Sequence, residues 1–258
     1  MVDIVKAKKY FKEYVSNYDI NVPRINIKFI HTCNVAENAR KIANMLGLSK
    51  EEQDLAELIG LLHDIGRFEQ VRIYNTFFDK ISVDHAEKGV EVLFKDNIIR
   101  NFINDTSYDE IILKAVRNHN KLEIESGLSD KELLHVKIIR DADNLDIFKV
   151  FTEQKIEDCV ILGTQDISKE KLTPEFLDKF KEERLLAYSD AKSDMDFMVV
   201  CFAHLYALNF KETLILLKEN DYINKIVKRL NCQDEYTRQT MNEIAIIANN
   251  YIDRTINV

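Results

Sequence analysis

Over 258 residues this chain has only six glycines and two prolines with which to interrupt itself. An average chain of that length would carry about three times as many glycines. Hairpins and tight turns need residues that tolerate positive φ or arrive with φ already set, so a sheet-rich fold would be starved of them. The apolar residues instead recur at helical spacing, as in Leu55, Leu58, Ile59 and Leu62. The expected class is therefore all-α.

Read in order, residues 2 to 17 form an amphipathic helix with Val5, Tyr10, Phe11, Tyr14 and Val15 on its apolar side. A connector around Pro23 leads to a helix from about Ile27 to Leu46, closed by Gly47. Ser49 and Glu52 make a capping box that opens the next helix, which runs to His63 and is stopped by Gly66. Residues 67 to 81 hold Phe68, Tyr74, Phe77 and Phe78 without clean periodicity and suit a loop or short helices over a cleft. Asp84 can cap a helix through His85, and another helix runs from about Asp109 to His119. A second capping box, Ser129 with Glu132, opens a long helix through Asp143 to Val150. Residues 163–174 read as the clearest loop, dividing a core of residues 1–162 from a helical extension, 163–258, packed on it.

A net charge of −8 disfavours nonspecific binding to nucleic acid or anionic membrane. Cys33, Cys159, Cys201 and Cys232 are scattered, without a C-x-x-C pair, as expected of reduced thiols in a cytoplasmic protein. The first residues lack the apolar core of a signal peptide, and the most apolar run, 197–208, is too short to span a bilayer. A soluble chain is expected.

The functional signal is an imidazole and a carboxylate, His63 and Asp64, at the end of a buried helix. A buried carboxylate costs several kcal/mol unless a cation or strong donor meets it. Such a pair alone is most simply a helix end, with His63 capping carbonyls and Asp64 in solvent. The other histidines change that balance. Apart from the adjacent pair His63 and Asp64, the residues His31, His63, Asp64, His85, His119 and Asp143 fall on different predicted helices, each about one helical hairpin from the next. In an antiparallel bundle, that spacing returns the chain to the same end of the fold at every step. His204, inside an apolar run, reads as a hydrogen-bonded core histidine, and His135 as peripheral. Arg140 is expected to neutralise Asp141 and Asp143.

Three segments, HTCNVAENARKIANMLG, LIGLLHDIGRFE and IIRDADNLD, resemble the motifs of the HD-domain metal-dependent phosphohydrolases. Their signature is a histidine, a distant His-Asp pair and a later aspartate. The resemblance covers residues 27 to about 150 and implies an HD-domain helical bundle with additional C-terminal helices. It also implies that His31, His63, Asp64 and Asp143 hold one ion, with Asp141 behind them. His85 and His119 match the subgroup whose two further histidines hold a second ion, bridged by Asp64. The Gly-Tyr-Pro motif of the cyclic-di-GMP phosphodiesterase branch and a synthetase module of the stringent-response type are both absent. Independently of the family, imidazoles with carboxylates suit Mn, Fe, Co, Ni or Zn, and the lack of thiolate ligands argues against a structural zinc. Arg67 and Lys121, each next to a candidate ligand, are candidates to bind phosphate oxygens and, with Asp64, to serve catalysis. The expected activity is hydrolysis of a phosphate ester or phosphoanhydride of a nucleotide or other small phosphorylated molecule. The alternative is a non-catalytic helical module that retains a metal site. Homo-oligomerisation stays open.

Overall fold

The computed structural model describes residues 2–257, which form helices and connecting turns with no strand among them. The all-α class expected from the shortage of turn residues is the class observed. The chain divides into two compact units between Asp143 and Asn144. That divide lies inside the long helix and ahead of the 163–174 loop.

The first unit contains α1 (Ile4–Val15), α2 (Pro23–Met45), α3 (Lys50–Leu62), α4 (Ile65–Tyr74), α5 (His85–Val90), α6 (Ile99–Phe102), α7 (Asp109–Asn118) and the first part of α8 (Asp130–Glu153). Helix α2 starts at Pro23, earlier than periodicity suggests, because proline at a first helical position has its φ preset and no N–H to satisfy. It closes where Gly47 turns to φ 71° and the Leu48 N–H reaches the Ala43 carbonyl at 3.1 Å. The Ser129 box is reciprocal: Ser129 Oγ accepts from the Glu132 N–H, and Glu132 accepts from the Ser129 N–H at 2.7 Å. The Ser49 box is only half formed. Ser49 caps the Glu52 N–H, while the Glu52 carboxylate goes to Lys131 and His135.

Two glycines set how closely the site helices approach. A Cβ at Gly60 on α3 would lie 2.6 Å from Ala36 Cα, so α2 and α3 touch backbone to backbone. A Cβ at Gly66 would lie 2.2 Å from the His85 carbonyl oxygen and 2.4 Å from the Gly89 nitrogen. Gly66 therefore does not stop a helix. It sits in the first turn of α4, and its missing side chain lets α4 meet α5. Of the two forms expected from residue 67 onward, a loop or short helices, the chain takes the helical one to Tyr74, because Phe68 is fully buried against Phe11, Tyr14 and Tyr18 at ring distances of 6.0, 6.2 and 5.4 Å. That aromatic cluster contributes edge contacts of ~0.5–1.5 kcal/mol each beyond the area they bury.

The second unit contains the end of α8, then α9 (Ile156–Cys159), α10 (Glu175–Lys181), α11 (Asp194–Ala203), α12 (Lys211–Glu219), α13 (Tyr222–Leu230) and α14 (Glu235–Ile256). Every residue of α11 is buried, including Asp194 and Asp196 in its first turn. Asp194 accepts the N–H groups of Leu162 and Thr164 at 2.8 Å each. Asp196 accepts those of Thr173 and Lys192 at 2.8 and 3.0 Å, and the Thr173 hydroxyl at 2.7 Å. The expected loop over 163–174 is thus an irregular segment pinned at both ends. No helix among the described residues is long and apolar enough to cross a membrane.

Candidate metal centre

The first unit brings all six candidate ligands to one place, mostly by using helix ends. His31 lies within α2, and His63 is the C-cap residue of α3. Asp64 is the N-cap residue of α4, and His85 is the first residue of α5. His119 is the C-cap residue of α7, and Asp143 projects from α8. A helix end exposes backbone polar groups that a side chain can use, which helps to set each ring.

Asp64 is the centre of the cluster. Its Oδ2 lies 3.6 Å from His63 Nε2 and 3.8 Å from His31 Nε2. Its Oδ1 faces the other pair, 3.4 Å from His85 Nε2 and 3.6 Å from His119 Nε2. Asp143 Oδ1 lies 3.1 Å from His31 Nε2 and 3.9 Å from His63 Nε2. Two ligand atoms at ~2.0–2.2 Å from one shared ion are themselves separated by roughly 3–4 Å. Ligand atoms within 4.8 Å of one another form three overlapping groups around Asp64 (His31, His63 and Asp64; His63, His119 and Asp143; Asp64, His85 and His119) and a fourth beside them, Asp79, Asp84 and His85. One carboxylate therefore faces two sets of nitrogens, one with each oxygen.

The hydrogen bonds at the far side of the rings show what the cluster needs. His63 Nδ1 lies 2.7 Å from the Gly60 carbonyl, and His119 Nδ1 lies 2.7 Å from the Val116 carbonyl. His85 Nδ1 lies 2.6 Å from the Asp79 carboxylate. Each of these partners only accepts, so each Nδ1 carries the proton and each neutral ring presents a lone pair at Nε2. His85 Nε2 and His119 Nε2 then point lone pairs at each other across 3.0 Å. His63 Nε2, fully buried, has no hydrogen-bond partner among the described residues. Acceptor atoms converging without donors call for a cation, and imidazole with carboxylate is the donor set of a divalent transition metal.

The electrostatics agree with that reading. Burial pushes His63 down to about 3 and His85 down to about 4, which keeps both rings neutral near pH 7. Burial alone would raise Asp64, but the Lys28 ammonium beside it holds it well below the usual carboxylate range. Asp143 is also held below its ordinary value, with the His31 hydrogen bond the largest influence opposing burial. Neutral imidazoles and ionised carboxylates are the protonation states in which both residue types bind metal.

Three charged neighbours surround the cluster. Lys28 Nζ lies 2.8 Å from Asp64 Oδ2, a contact not anticipated from the sequence although Lys28 and His31 share a helical face at i, i+3. Arg67 Nε lies 3.6 Å from Asp64 Oδ1, while its Nη1 donates to Asp79 at 2.7 Å and to the Phe77 carbonyl at 2.6 Å. Asp79 was missed as well, since it sits in a 3-10 turn where no periodicity marks it. Lys121 differs from Arg67. It is ion-paired with Asp84 and lies 3.6 Å from Glu87, at the capped start of α5.

Other sequence expectations need correction. Arg140 feels the charges of Asp141 and Asp143 as expected, but its hydrogen bonds go elsewhere. Its Nη1 donates to the carbonyls of Asn118 and Lys121 at 2.9 and 2.5 Å, tying down the chain on both sides of His119. Asp141 is buried on α8. His135 lies outside the cluster, buried, with Nε2 2.6 Å from Glu52. His204 is hydrogen-bonded as expected, through Asn144 and Tyr188, but is only partly buried.

Residues 29–147 match the family model described as HD domain. Over that span the chain is similar to the HD-domain family. The matched span starts just before His31 and ends just after Asp143, so it encloses all six clustered side chains. HD domains bind divalent metals and are commonly metal-dependent hydrolases. No curated protein and no solved structure matches the chain.

Proposed function

We propose that this chain is a dinuclear metal-dependent phosphohydrolase acting on a phosphate ester or phosphoanhydride of a nucleotide or other small phosphorylated molecule. One observation carries the reading: the two oxygens of Asp64 face different pairs of imidazoles, His31 with His63 and His85 with His119. A carboxylate placed in that way suits a bridge between two ions. In this assignment His31, His63, Asp64 and Asp143 hold one ion, and Asp64, His85 and His119 hold the other. The donor set favours Mn, Fe, Co, Ni or Zn over Mg, which prefers oxygen ligands and water. Divalent ions bound there would activate water as a nucleophile near neutral pH and neutralise phosphoryl oxygens.

The chain's own residues supply orientation and charge. Gly60, Val116 and Asp79 hold three rings with Nε2 inward. Arg67 and Lys28 are the cations closest to Asp64 and are assigned to phosphate oxygens, for which a guanidinium fork and an ammonium are both suited. Lys121, paired with Asp84, is assigned to holding the loop after His119. A chain of net charge −8 offers little to a long polyanion, which supports a small substrate.

The test is a panel of nucleotides, dinucleoside polyphosphates and sugar phosphates, assayed on chelator-treated protein with Mn, Fe, Co, Ni or Mg added in turn. Turnover that returns with the transition metals, and less with Mg, supports the assignment. Two bound ions with no turnover on any phosphorylated compound would refute it in favour of a metal-binding module.

A further inference from the structure

We propose that Asp79 is the positioning residue of the centre: its carboxylate fixes the ring of His85 and thereby sets the affinity of the ion on the His85–His119 side. This rests on the dinuclear reading above. The reason lies in where His85 sits. His63 and His119 follow helices, so each Nδ1 can use the carbonyl three residues earlier, at Gly60 and Val116. His85 instead starts α5, and no preceding helical turn offers it a carbonyl. Its Nδ1 partner comes from the loop before the helix, Asp79 at 2.6 Å, while Asn120 Nδ2 lies at a longer 3.4 Å.

The loop is built for this contact. Asp79 Oδ2 takes the His85 bond, while Oδ1 accepts from Arg67 Nη1 at 2.7 Å and from Gln70 Nε2 at 2.9 Å. Gln70 is fully buried and also donates to Ser82 Oγ at 2.8 Å and the Val83 carbonyl at 3.0 Å. Both donors come from α4, the helix that starts directly after Asp64, so the two ends of the centre share one support. A carboxylate behind an imidazole fixes the tautomer and ring angle and raises the basicity of the ligating nitrogen. His85 is thus given a stronger partner than the carbonyls behind His63 and His119.

Asn cannot replace Asp79. Both carboxylate oxygens accept, and an amide would turn one of them into a donor facing either the His85 N–H or the Arg67 and Gln70 donors. The experiment is Mn titration by calorimetry of chelator-stripped wild type, Asp79→Asn, His85→Ala and the double variant, with circular dichroism on each. Wild type should bind two Mn ions. Asp79→Asn should keep one at wild-type affinity and bind the other ~10–100-fold more weakly. In the His85→Ala background, Asp79→Asn should cause no further loss, because Asp79 acts through that ring. A wild type that binds one ion would overturn the dinuclear reading and this inference with it. Two ions at unchanged affinity in Asp79→Asn would overturn only the inference. So would equal weakening of both ions, lost helicity, or a further loss in the double variant.

Discussion

Buried carboxylates occur in both units of this chain, and they meet opposite surroundings. In the second unit, Asp194 and Asp196 accept backbone N–H groups from Leu162, Thr164, Thr173 and Lys192. Every one of those contacts pairs an acceptor with a donor, and the result is a pinned segment. In the first unit, Asp64 faces four imidazoles, and His63, His85 and His119 turn lone pairs toward it. Apart from Lys28 and Arg67, which touch Asp64 from the side, and the His31 hydrogen bond to Asp143, acceptors there meet acceptors. The histidines differ in the same way. His204 has Asn144 Oδ1 at one nitrogen and the Tyr188 hydroxyl at the other, whereas His63 has a partner at Nδ1 alone. Burial does not distinguish architecture from chemistry in this chain, but the balance of donors and acceptors does.

The comparison breaks most visibly on Asp64. Asp64→Ala should lower turnover ~100–1000-fold, the scale seen when one electrostatic group is removed from a preorganised site. Helical content should hold, because the packed faces around it are untouched. A variant with near wild-type rates would remove Asp64 from the chemistry.

The matching change in the second unit is Asp196→Ala. It takes the buried acceptor from two backbone N–H groups and the Thr173 hydroxyl, donors that water can partly reach. A loss of about 1–3 kcal/mol in urea unfolding is expected. Metal content per folded molecule should stay at the wild-type value. Metal loss in this variant, with α11 still folded, would contradict the division of roles.

Acid should separate the units more gently. His63 and His85 are held at about 3 and about 4, against 6.5 for a free imidazole. Between those values the unfolded chain binds protons that the native rings refuse. Stability of chelator-stripped protein should therefore fall as pH drops from ~6.5 toward 4, by up to ~1.4 kcal/mol per pH unit for each histidine. Ionised Asp64 and Asp143 add a loss of the same sign below ~3.8, where the unfolded carboxylates gain protons. Thermal unfolding at pH 7, 6, 5 and 4 checks this, and a flat profile would show that the rings are solvated. The smallest effect belongs to His204→Ala, whose two hydrogen bonds are ordinary ones. It should cost ~1 kcal/mol and leave metal content unchanged.

Much of this could be read before any fold was known. The helical class follows from the missing glycines, and the six clustered residues follow from histidines spaced one hairpin apart. What escaped notice was short-range and irregular. Lys28 looks like any surface lysine until Asp64 is placed opposite it. Asp79 lies in a turn whose position depends on Arg67 and Gln70. Gly66 looked like a helix stop because local sequence cannot show that the α5 backbone passes 2.2 Å from where its Cβ would be. Arg140 looked like the partner of its neighbouring acids, but backbone carbonyls brought in by the chain around His119 take its hydrogen bonds. In each instance the deciding partner came from elsewhere in the fold.

The most direct measurement is a metal count by elemental analysis on wild type, His85→Ala and His119→Ala, each loaded with Mn and freed of excess ion. A centre divided by the two oxygens of Asp64 should hold about two ions per chain in wild type and about one in each variant, with helical circular dichroism unchanged. Equal counts in all three proteins, with wild-type turnover in the variants, would contradict the dinuclear centre and leave His85 and His119 without a role in holding metal.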